Sequence, residues 1–233
     1  VMVHGALKDV PPYEVFSASG VCVAGVSALK YAYNAVKAGE HQHAIVSASE
    51  AASLMMRAQN FQQEMTDKIE QLTIRPELAF EKDFLRWMLS DGAGAVYLSD
   101  QPNSSAVSLK IQWIDVISYA NEMPTCMYAG GDVEAGKFKG WAAYSQQEQS
   151  ARSLMSIKQD VKLLNENIIR YTVEKALSAS IQKHGLTLDQ VDYFLPHYSS
   201  TYFRDKVADG LKRINFDIPM DKWFTNLTTK GNT

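Results

Sequence analysis

The stretch VFSASGVCVAGVSALKYAYNAVKAG, residues 15–39, joins a short β-prone run to a helix-forming run across a set of small residues. Apolar residues recur at helical spacing after Cys22, and Gly39 supplies a C-terminal stop, so the pattern predicts a helix that begins just after the cysteine. A thiol at the first turn of a helix meets unpaired backbone N–H groups and the positive end of the helix dipole, which favour the thiolate. A free cysteine is also a common small core residue. Cys22 is therefore a candidate nucleophile whose role this stretch alone leaves open.

The composition is that of an ordinary globular protein. The chain has 233 residues, of which 46% are hydrophobic and 21% are charged, enough for one large domain or two small ones. A net charge of −3 does not indicate a nucleic-acid-binding surface. No apolar run is long enough to span a bilayer, and the first residues do not have the pattern of a signal peptide. We therefore expect a cytoplasmic protein with neither a nucleic-acid nor a membrane partner.

The cysteines and histidines form no pattern typical of a metal or disulfide site. Cys22 and Cys126 are far apart in the sequence, and two cysteines make neither a disulfide framework nor a zinc knuckle. His41 and His43 precede a predicted strand without a third ligand nearby. The run SDGAGAV, residues 90–96, has the spacing of neither a phosphate-binding loop nor a dinucleotide fingerprint. We expect no metal and no bound cofactor.

Predicted strands and helices alternate along the chain. Strands are expected at residues 43–50, from the glycine-rich turn to about residue 98, and at 106–120, 193–195 and 222–227. Helices are expected at residues 23–39, within 53–86, at about 152–184 and at 199–213. Residues 121–150 are rich in glycine and polar residues, which predicts a loop-rich insertion. The alternation indicates an α/β protein with parallel strand pairing, in which strand 43–50 is buried.

Two further polar residues lie at predicted turn positions. His197 follows the predicted strand 193–195 directly and precedes a predicted helix, which is where α/β proteins place functional side chains. Asn232 lies in the sequence KGNT, residues 230–233, and Gly-Asn pairs are common turn formers. Taken alone, each residue also fits a structural role.

Four motifs follow one another in a specific order: VFSASGVCVAGVSALKYAYNAVKAG, LSDGAGAVYLSD, VDYFLPH and KGNT. In this order and spacing they resemble the β-ketoacyl-(acyl-carrier-protein) synthase III family of the thiolase superfamily, over nearly the whole chain. The resemblance implies an α/β, thiolase-like fold of α-β-α-β-α layers, incomplete at both ends. Residues 1–120 would be the remainder of an N-terminal half with the nucleophile. Residues 121–233 would be a truncated C-terminal half, and we expect such a fragment to be unstable or inactive alone.

The resemblance also implies a triad of Cys22, His197 and Asn232. Cys22 would take an acyl group from a thioester, because a thiolate is a strong nucleophile and its adduct remains an activated thioester. His197 and Asn232 would donate hydrogen bonds to the carbonyl of a malonyl- or β-ketoacyl-type thioester, since decarboxylation develops charge on that oxygen. The backbone N–H of Cys22 would help to form an oxyanion hole. The three side chains would meet around one cavity, with the sulfur at the start of a buried helical turn.

Partners and pathway follow from the same resemblance. Coenzyme A or acyl-carrier-protein thioesters would be the substrates, without a further cofactor, and the protein would form a homodimer. Tyr198, Ser199 and Ser200 stand where the family usually has Gln-Ala-Asn after the histidine. With FLRWMLSDGAGA and PHYSSTYF, these residues resemble a branch used in bacterial specialised metabolism, including enzymes that build dialkylresorcinols and aryl-polyene-type pigments. They argue against a role in initiating fatty acid synthesis.

Three alternatives stay open. An acyltransferase on the same fold would pass the acyl group from Cys22 to an alcohol or amine without forming a carbon–carbon bond. A catalytically silent subunit would shape a partner's pocket, although such subunits typically lack the cysteine. A papain-like protease also uses Cys, His and Asn in this order, but the sequence around Cys22 lacks the local pattern of that class.

Overall fold

The computed structural model of the chain describes residues 2–20, 22–57, 59, 85 and 88–224. The chain separates into two compact units. The first unit contains residues 1–50 and 92–116, and the second contains residues 51–91 and 117–233. The division into halves at 1–120 and 121–233 stays a prediction.

The first unit contains one long helix and one pair of strands. Its elements are α1 (Met2–Ala6), α2 (Ala24–Ala38), β1 (His43–Glu50) and β2 (Gly92–Ser99). The prediction of α2 is confirmed, and the helix ends at Gly39, which takes the left-handed conformation with φ 77° and donates its N–H to the Val36 carbonyl oxygen at 3.1 Å. The helix lies close to β1, because a Cβ on Gly25 would come within 3.2 Å of the Ala48 Cβ.

The strands of the first unit differ from the predictions in burial and direction. β1 and β2 form at the predicted positions, but they pair antiparallel from His43 opposite Ser99 to Glu50 opposite Gly92. The predicted parallel pairing is wrong for every strand pair of the described residues, apart from a single bridge. Within β1 only Val46 is buried, so the predicted burial is also wrong. The local pattern identifies extended segments but does not encode which neighbours they acquire.

Residues 106–120 do not form the predicted long strand. Their alternating side chains remain outside any sheet, and Val107 and Leu109 are 91% and 90% exposed. A strand is stabilised by cross-strand pairs, and no strand pairs with this segment among the described residues. Alternation alone was therefore insufficient to predict a strand here.

The second unit is mainly helical. Its regular elements are α3 (Ala52–Met55), β3 (Met127–Tyr128), β4 (Gly131–Glu134), β5 (Lys137–Gly140), α4 (Gln146–Ala151), β6 (Lys158–Gln159), α5 (Val161–Ile169), α6 (Ser178–His184) and α7 (Tyr202–Arg213). A π-helical segment, Arg170–Leu177, joins α5 to α6, and short 3₁₀ turns occur at Trp141–Ala143, Leu188–Gln190 and Met220–Lys222. Of the helix predicted within 53–86, the structure describes α3, and most of the remaining residues lie outside the described part of the chain.

The segment predicted as a loop-rich insertion contains a β-hairpin and helix α4. β4 and β5 pair antiparallel across a turn of Ala135 and Gly136, which have φ 49° and 76°, as a two-residue hairpin turn requires. Gly131 permits the close strand pairing, because a Cβ there would come within 2.5 Å of the Lys139 carbonyl oxygen. The glycines that suggested a loop are thus turn and contact residues of the hairpin.

The helix predicted at 152–184 begins later than expected. It runs through α5, the π-helical segment and α6, and Gly185 ends it with φ 62°. Residues 158–159 instead pair with β3, and the Asp160 side chain caps α5 by accepting the Leu163 N–H at 2.8 Å. Ser153, with φ 47°, has a left-handed backbone that a continuous helix does not contain.

Packing of α7 against the π-helical segment forms the best-buried part of the second unit. Val173, Leu211, Phe216 and Ile218 make one buried cluster. Gly210 allows the helices to approach, since a Cβ there would lie 2.7 Å from the Ile169 Cγ2. The prediction of a helix within 199–213 is confirmed by α7.

The predicted strands 193–195 and 222–227 are reduced to one parallel bridge between Phe194 and Trp223. The Phe194 N–H donates to the Lys222 carbonyl oxygen at 2.8 Å, and the Phe194 carbonyl oxygen accepts the Phe224 N–H at 2.9 Å. Residues 225–227 lie outside the described residues. Across the described chain, no helix combines the length and the apolar character that crossing a membrane requires.

Candidate functional site

Cys22 lies in a turn directly before α2, as predicted. Val23 is the N-cap residue and its side chain makes no capping hydrogen bond, while its carbonyl oxygen accepts the Ser27 N–H at 2.9 Å. The first N–H groups of a helix have no intrahelical acceptor, and a hydrocarbon side chain at the N-cap supplies none. The start of α2 therefore presents backbone N–H groups that directly follow Cys22 in the chain. Backbone N–H groups of this kind can stabilise negative charge on an oxygen atom.

The Cys22 thiol is free and exposed. The expectation that its sulfur lies at the start of a buried helical turn is therefore not met in this structure. Accessibility suits a residue that attacks a bulky thioester, but exposure by itself does not make a cysteine reactive. The nucleophilic role of Cys22 stays a prediction.

Cys126 has a different environment. It is half-buried, and burial raises the pKa of its thiol. Its carbonyl oxygen accepts the Asp160 N–H at 2.7 Å, which ties the residue to the start of α5. A raised pKa leaves less thiolate at neutral pH, which makes Cys126 a poor nucleophile.

His197 lies three residues beyond the Phe194–Trp223 bridge and precedes α7, which agrees with its predicted position between an extended segment and a helix. Its side chain is exposed. Ser200 shapes the turn that follows, because its hydroxyl accepts the Tyr202 N–H at 3.1 Å and its carbonyl oxygen accepts the Phe203 N–H at 3.0 Å. These bonds fix the chain direction immediately after the histidine.

The three predicted triad residues are distributed over different parts of the chain. Cys22 belongs to the first unit and His197 to the second. Asn232 lies outside the described residues. The triad of Cys22, His197 and Asn232 therefore stays a prediction.

Tyr198 and Arg204, which follow His197 in the sequence, have buried polar atoms and are not among the predicted site residues. Tyr198 is only 6% exposed, and its hydroxyl has no hydrogen-bond partner among the residues that the structure describes. Within the same residues, the buried Arg204 Nε also lacks a partner. Sequence spacing offered a signal for Arg204, because no Asp or Glu stands three or four residues away on either side of it in α7. Tyr198 was noted from the sequence only as a departure from Gln.

Within the residues that the structure describes, no group of three or more His, Cys, Asp or Glu side chains could hold a metal ion.

Comparisons with known proteins give relatives of one kind. No family model matches the chain. A β-ketoacyl-(acyl-carrier-protein) synthase III of Limosilactobacillus reuteri (strain DSM 20016) is 26% identical over 189 residues, which are 81% of this chain and 52% of the relative. The enzyme of the same name from Latilactobacillus sakei subsp. sakei (strain 23K) is 41% identical over 61 residues, or 26% of this chain. The chain thus spans about half the length of the first of these relatives.

Solved structures extend the similarity to the fold. The crystal structure of 3-oxoacyl-(acyl carrier protein) synthase III from Pseudomonas aeruginosa PAO1 covers 91% of this chain with a TM-score of 0.52 at 16% identity, over 52% of its own length. The chain has the thiolase-like fold. The corresponding enzyme from Xanthomonas oryzae pv. oryzae KACC10331 gives a TM-score of 0.51 over 91% of the chain at 17% identity. The predicted layered α/β fold class is confirmed, although a fold alone does not establish an activity.

Proposed function

We propose that the protein is an acyl-thioester condensing enzyme. The observation that carries the proposal is the position of Cys22 directly before the uncapped start of α2, in a chain with the thiolase-like fold. His197 supports it, because it occupies the predicted turn ahead of α7. The sequence similarity to β-ketoacyl-(acyl-carrier-protein) synthase III relatives supports the same class of reaction.

In the first step, the Cys22 thiolate attacks the carbonyl carbon of an acyl thioester. A new carbon–sulfur bond forms, the original carbon–sulfur bond breaks, and the thiolate of coenzyme A or of an acyl carrier protein leaves and takes a proton from solvent. The tetrahedral intermediate places negative charge on the carbonyl oxygen, which backbone N–H groups at the start of α2 can stabilise. The acyl group is then held on Cys22 as an activated thioester.

In the second step, a malonyl-type thioester loses carbon dioxide and becomes an enolate. His197 and Asn232 donate hydrogen bonds to the enolate oxygen, which lowers the barrier because the charge develops on that atom. The enolate carbon attacks the acyl carbonyl carbon on Cys22, a carbon–carbon bond forms, and the Cys22 thiolate leaves. A β-ketoacyl-type thioester is the second kind of extender in the proposal. It has no carboxylate to lose, so its enolate forms when the proton on the carbon between its two carbonyl groups passes to water.

The biological setting belongs to the same proposal. Tyr198, Ser199 and Ser200 replace the usual Gln-Ala-Asn, which favours bacterial specialised metabolism of the dialkylresorcinol or aryl-polyene kind over initiation of fatty acid synthesis. An acyl carrier protein or coenzyme A would deliver the substrates to a cytoplasmic homodimer. Turnover assays with acyl carrier protein and with coenzyme A thioesters would test which carrier delivers the substrates. The mass of the protein in solution would test the homodimer.

Mass spectrometry of the full-length protein tests the reaction. After incubation with a panel of acyl thioesters, we expect one acyl mass on Cys22, its loss in Cys22→Ala and its retention in the matched control Cys126→Ala. The control isolates the helix-start cysteine, because the raised pKa of Cys126 disfavours its thiolate. Adding malonyl thioester should then release carbon dioxide and yield a β-ketoacyl product.

Other results would separate the alternatives. Acylation of Cys22 without a new carbon–carbon bond, in the presence of an alcohol or amine acceptor, would indicate an acyltransferase instead. Absence of acylation with every donor, together with unchanged pathway output in a Cys22→Ala strain, would indicate a silent subunit and contradict the proposed enzyme.

A further inference from the structure

The carboxylate of Glu14 connects three segments of the first unit. Its Oε1 accepts a hydrogen bond from the Tyr31 hydroxyl, and its Oε2 lies 2.9 Å from the His41 Nε2. Tyr31 belongs to α2, and His41 lies in the turn between α2 and β1. These hydrogen bonds, that of Tyr31 first and that of His41 second, lower the pKa of Glu14 and so favour the charged carboxylate. The chain at Glu14 is therefore attached to α2 and to the turn that follows it.

Phe16 makes a second contact between the segment ahead of Cys22 and α2. Its ring stacks on the Tyr31 ring, with centroids 4.0 Å apart and an interplanar angle of 9°. Aromatic pairs combine apolar contact with a preferred geometry. One residue of α2 thus contacts this segment twice, through its hydroxyl and through its ring. We call the four residues Glu14, Phe16, Tyr31 and His41 the clasp.

The turn that contains Cys22 lies between the clasp and the start of α2. It consists of the seven residues 17–23. Tyr31 lies seven residues into α2, about 10 Å along the helix axis, whereas seven extended residues would span about 25 Å. The turn therefore folds back, and Gly20 supports this with φ 135°, which other residues rarely adopt.

A turn with excess length has many conformations unless both of its ends are held. The helix holds one end, because the Val23 carbonyl oxygen accepts the Ser27 N–H at 2.9 Å. The clasp holds the other end at Phe16. The direction from which the backbone reaches Cys22 therefore depends on the contacts of Tyr31.

We propose that Glu14 and Tyr31 are positioning residues for Cys22, which orient its sulfur for attack on an acyl thioester. They act on the reaction through the backbone of the turn. Misplacing a reacting group by about 1 Å can slow a reaction about a hundredfold, so a loosened turn should be measurable. The role in acylation rests on the proposed function above, whereas the orientation of Cys22 can be measured without any reaction.

Two rates measured on the full-length Cys126→Ala protein test the proposal: acylation of Cys22 by acetyl- or octanoyl-coenzyme A, and its alkylation by iodoacetamide. Tyr31→Phe keeps the ring that stacks on Phe16 and removes the hydrogen bond to Glu14. It should lower the maximal acylation rate about tenfold without changing the thioester concentration at half-maximal rate. Alkylation should change less than about twofold, because it depends on thiolate fraction and exposure.

Variants of Glu14 test whether the two residues act through one bond. Glu14→Ala should slow acylation as Tyr31→Phe does, whereas Glu14→Gln keeps an acceptor oxygen and should stay within about threefold of wild type. The double variant of Glu14→Ala and Tyr31→Phe should be no slower than the slower single variant. A double variant that shows the product of both losses would overturn the proposal, because the residues would then act independently.

Tyr33→Phe is the matched control. It removes another hydroxyl of α2, but one that donates to the Gln112 carbonyl oxygen at 3.0 Å rather than to the segment ahead of Cys22. Both rates should remain those of the wild-type protein. Equal loss of acylation in Tyr33→Phe and Tyr31→Phe would overturn the proposal, since the effect would then be one of general helix stability. Equal slowing of acylation and alkylation in Tyr31→Phe would overturn it as well.

Fluorine NMR separates this proposal from the proposed function. Bromotrifluoroacetone attached to Cys22 in the full-length Cys126→Ala protein reports the surroundings of the sulfur without any acyl donor. Tyr31→Phe should add resonances or give the narrow line of a mobile label, and Tyr33→Phe should leave the spectrum unchanged. If neither thioester acylates the wild-type protein, the proposed reaction fails, and the spectrum still decides whether the clasp orients Cys22. A Tyr31→Phe spectrum identical to that of wild type would overturn the clasp even where Cys22 becomes acylated.

Discussion

The two units differ in how far their apolar side chains are buried. Around α7 and the π-helical segment, Val173, Leu211 and Phe216 are buried together. In the first unit, Ile45 of β1 and Tyr97 of β2 are 69% and 63% exposed. A helix satisfies its backbone hydrogen bonds within itself, whereas a strand needs neighbours on both sides and a covered face. The comparison teaches that the helical part buries a core with its own residues, whereas the paired strands of the first unit leave large apolar side chains exposed.

Replacing one leucine in each unit should show the largest difference. Leu211→Ala removes a side chain with 0% exposure and should lower the free energy of unfolding by about 3 kcal/mol. Leu109→Ala, at 90% exposure, should change it by less than about 0.5 kcal/mol. Denaturant titration of both variants measures the two values. A similar loss in Leu109→Ala would break the comparison, because it would show that the first unit is covered in solution.

A pair of glycine substitutions should give a smaller contrast. Gly210→Ala brings a Cβ within 2.7 Å of the Ile169 Cγ2 and 3.2 Å of the Val173 Cγ1, so α7 must shift, at about 2 kcal/mol. Gly92→Ala at the start of β2 meets nothing within 4 Å and should be neutral or slightly stabilising. Denaturant titration of both glycine variants measures the two values. Equal tolerance at both positions would contradict the close packing of α7.

Substitutions at helix caps should change the free energy of unfolding by less than the glycine substitutions do. Asp160→Ala removes the acceptor of the Leu163 N–H at 2.8 Å and should lower the free energy of unfolding by about 1 kcal/mol. Val23→Ala in the first unit removes no cap and should cost less than about 0.5 kcal/mol. Circular dichroism during thermal unfolding compares the two. A larger loss in Val23→Ala would mean that the start of α2 has a stabilising contact at this residue.

The smallest effect on stability should come from single carboxylates at acidic pH. The hydroxyl of Ser145 and then its backbone N–H hold the pKa of Glu148 below its ordinary value of 4.5. The charged carboxylate therefore stabilises the folded state above pH 4.5, and this contribution disappears as the pH falls through the lower folded-state pKa. The Tm difference between wild type and Glu148→Gln should narrow over that range.

The first unit has a corresponding carboxylate at Glu14. Hydrogen bonds from Tyr31 and then His41 lower the pKa of Glu14. Glu14→Gln should show the same narrowing of its Tm difference in acid. A difference that widens in acid for either variant would contradict the direction of its pKa shift.

Local signals were sufficient for some elements. The helix α2 followed from apolar spacing and from Gly39, because helical hydrogen bonds and C-terminal glycines are local features. The turn before α7 and the position of His197 followed from the same kind of reasoning. The start of α5 could also have been found, since Asp160 directly precedes an apolar-periodic run.

Other features depend on residues distant in sequence. The segment 106–120 alternates as a strand does, yet it forms none, because alternation does not supply a partner strand. The antiparallel direction of β1 and β2 is a relation between two segments that are distant in sequence, which neither local pattern encodes. The unpartnered atoms of Tyr198 and Arg204 are visible only once burial is known.

The bridge between Phe194 and Trp223 has a consequence for sequence variation. Its two hydrogen bonds anchor the backbone three residues ahead of His197. Because backbone atoms make both bonds, substitutions that keep the chain length in this stretch should leave the course of the backbone ahead of His197 unchanged. A change of chain length between α7 and Met220, in contrast, would shift Lys222 and Phe224 relative to Phe194, and with them the start of the turn that contains His197.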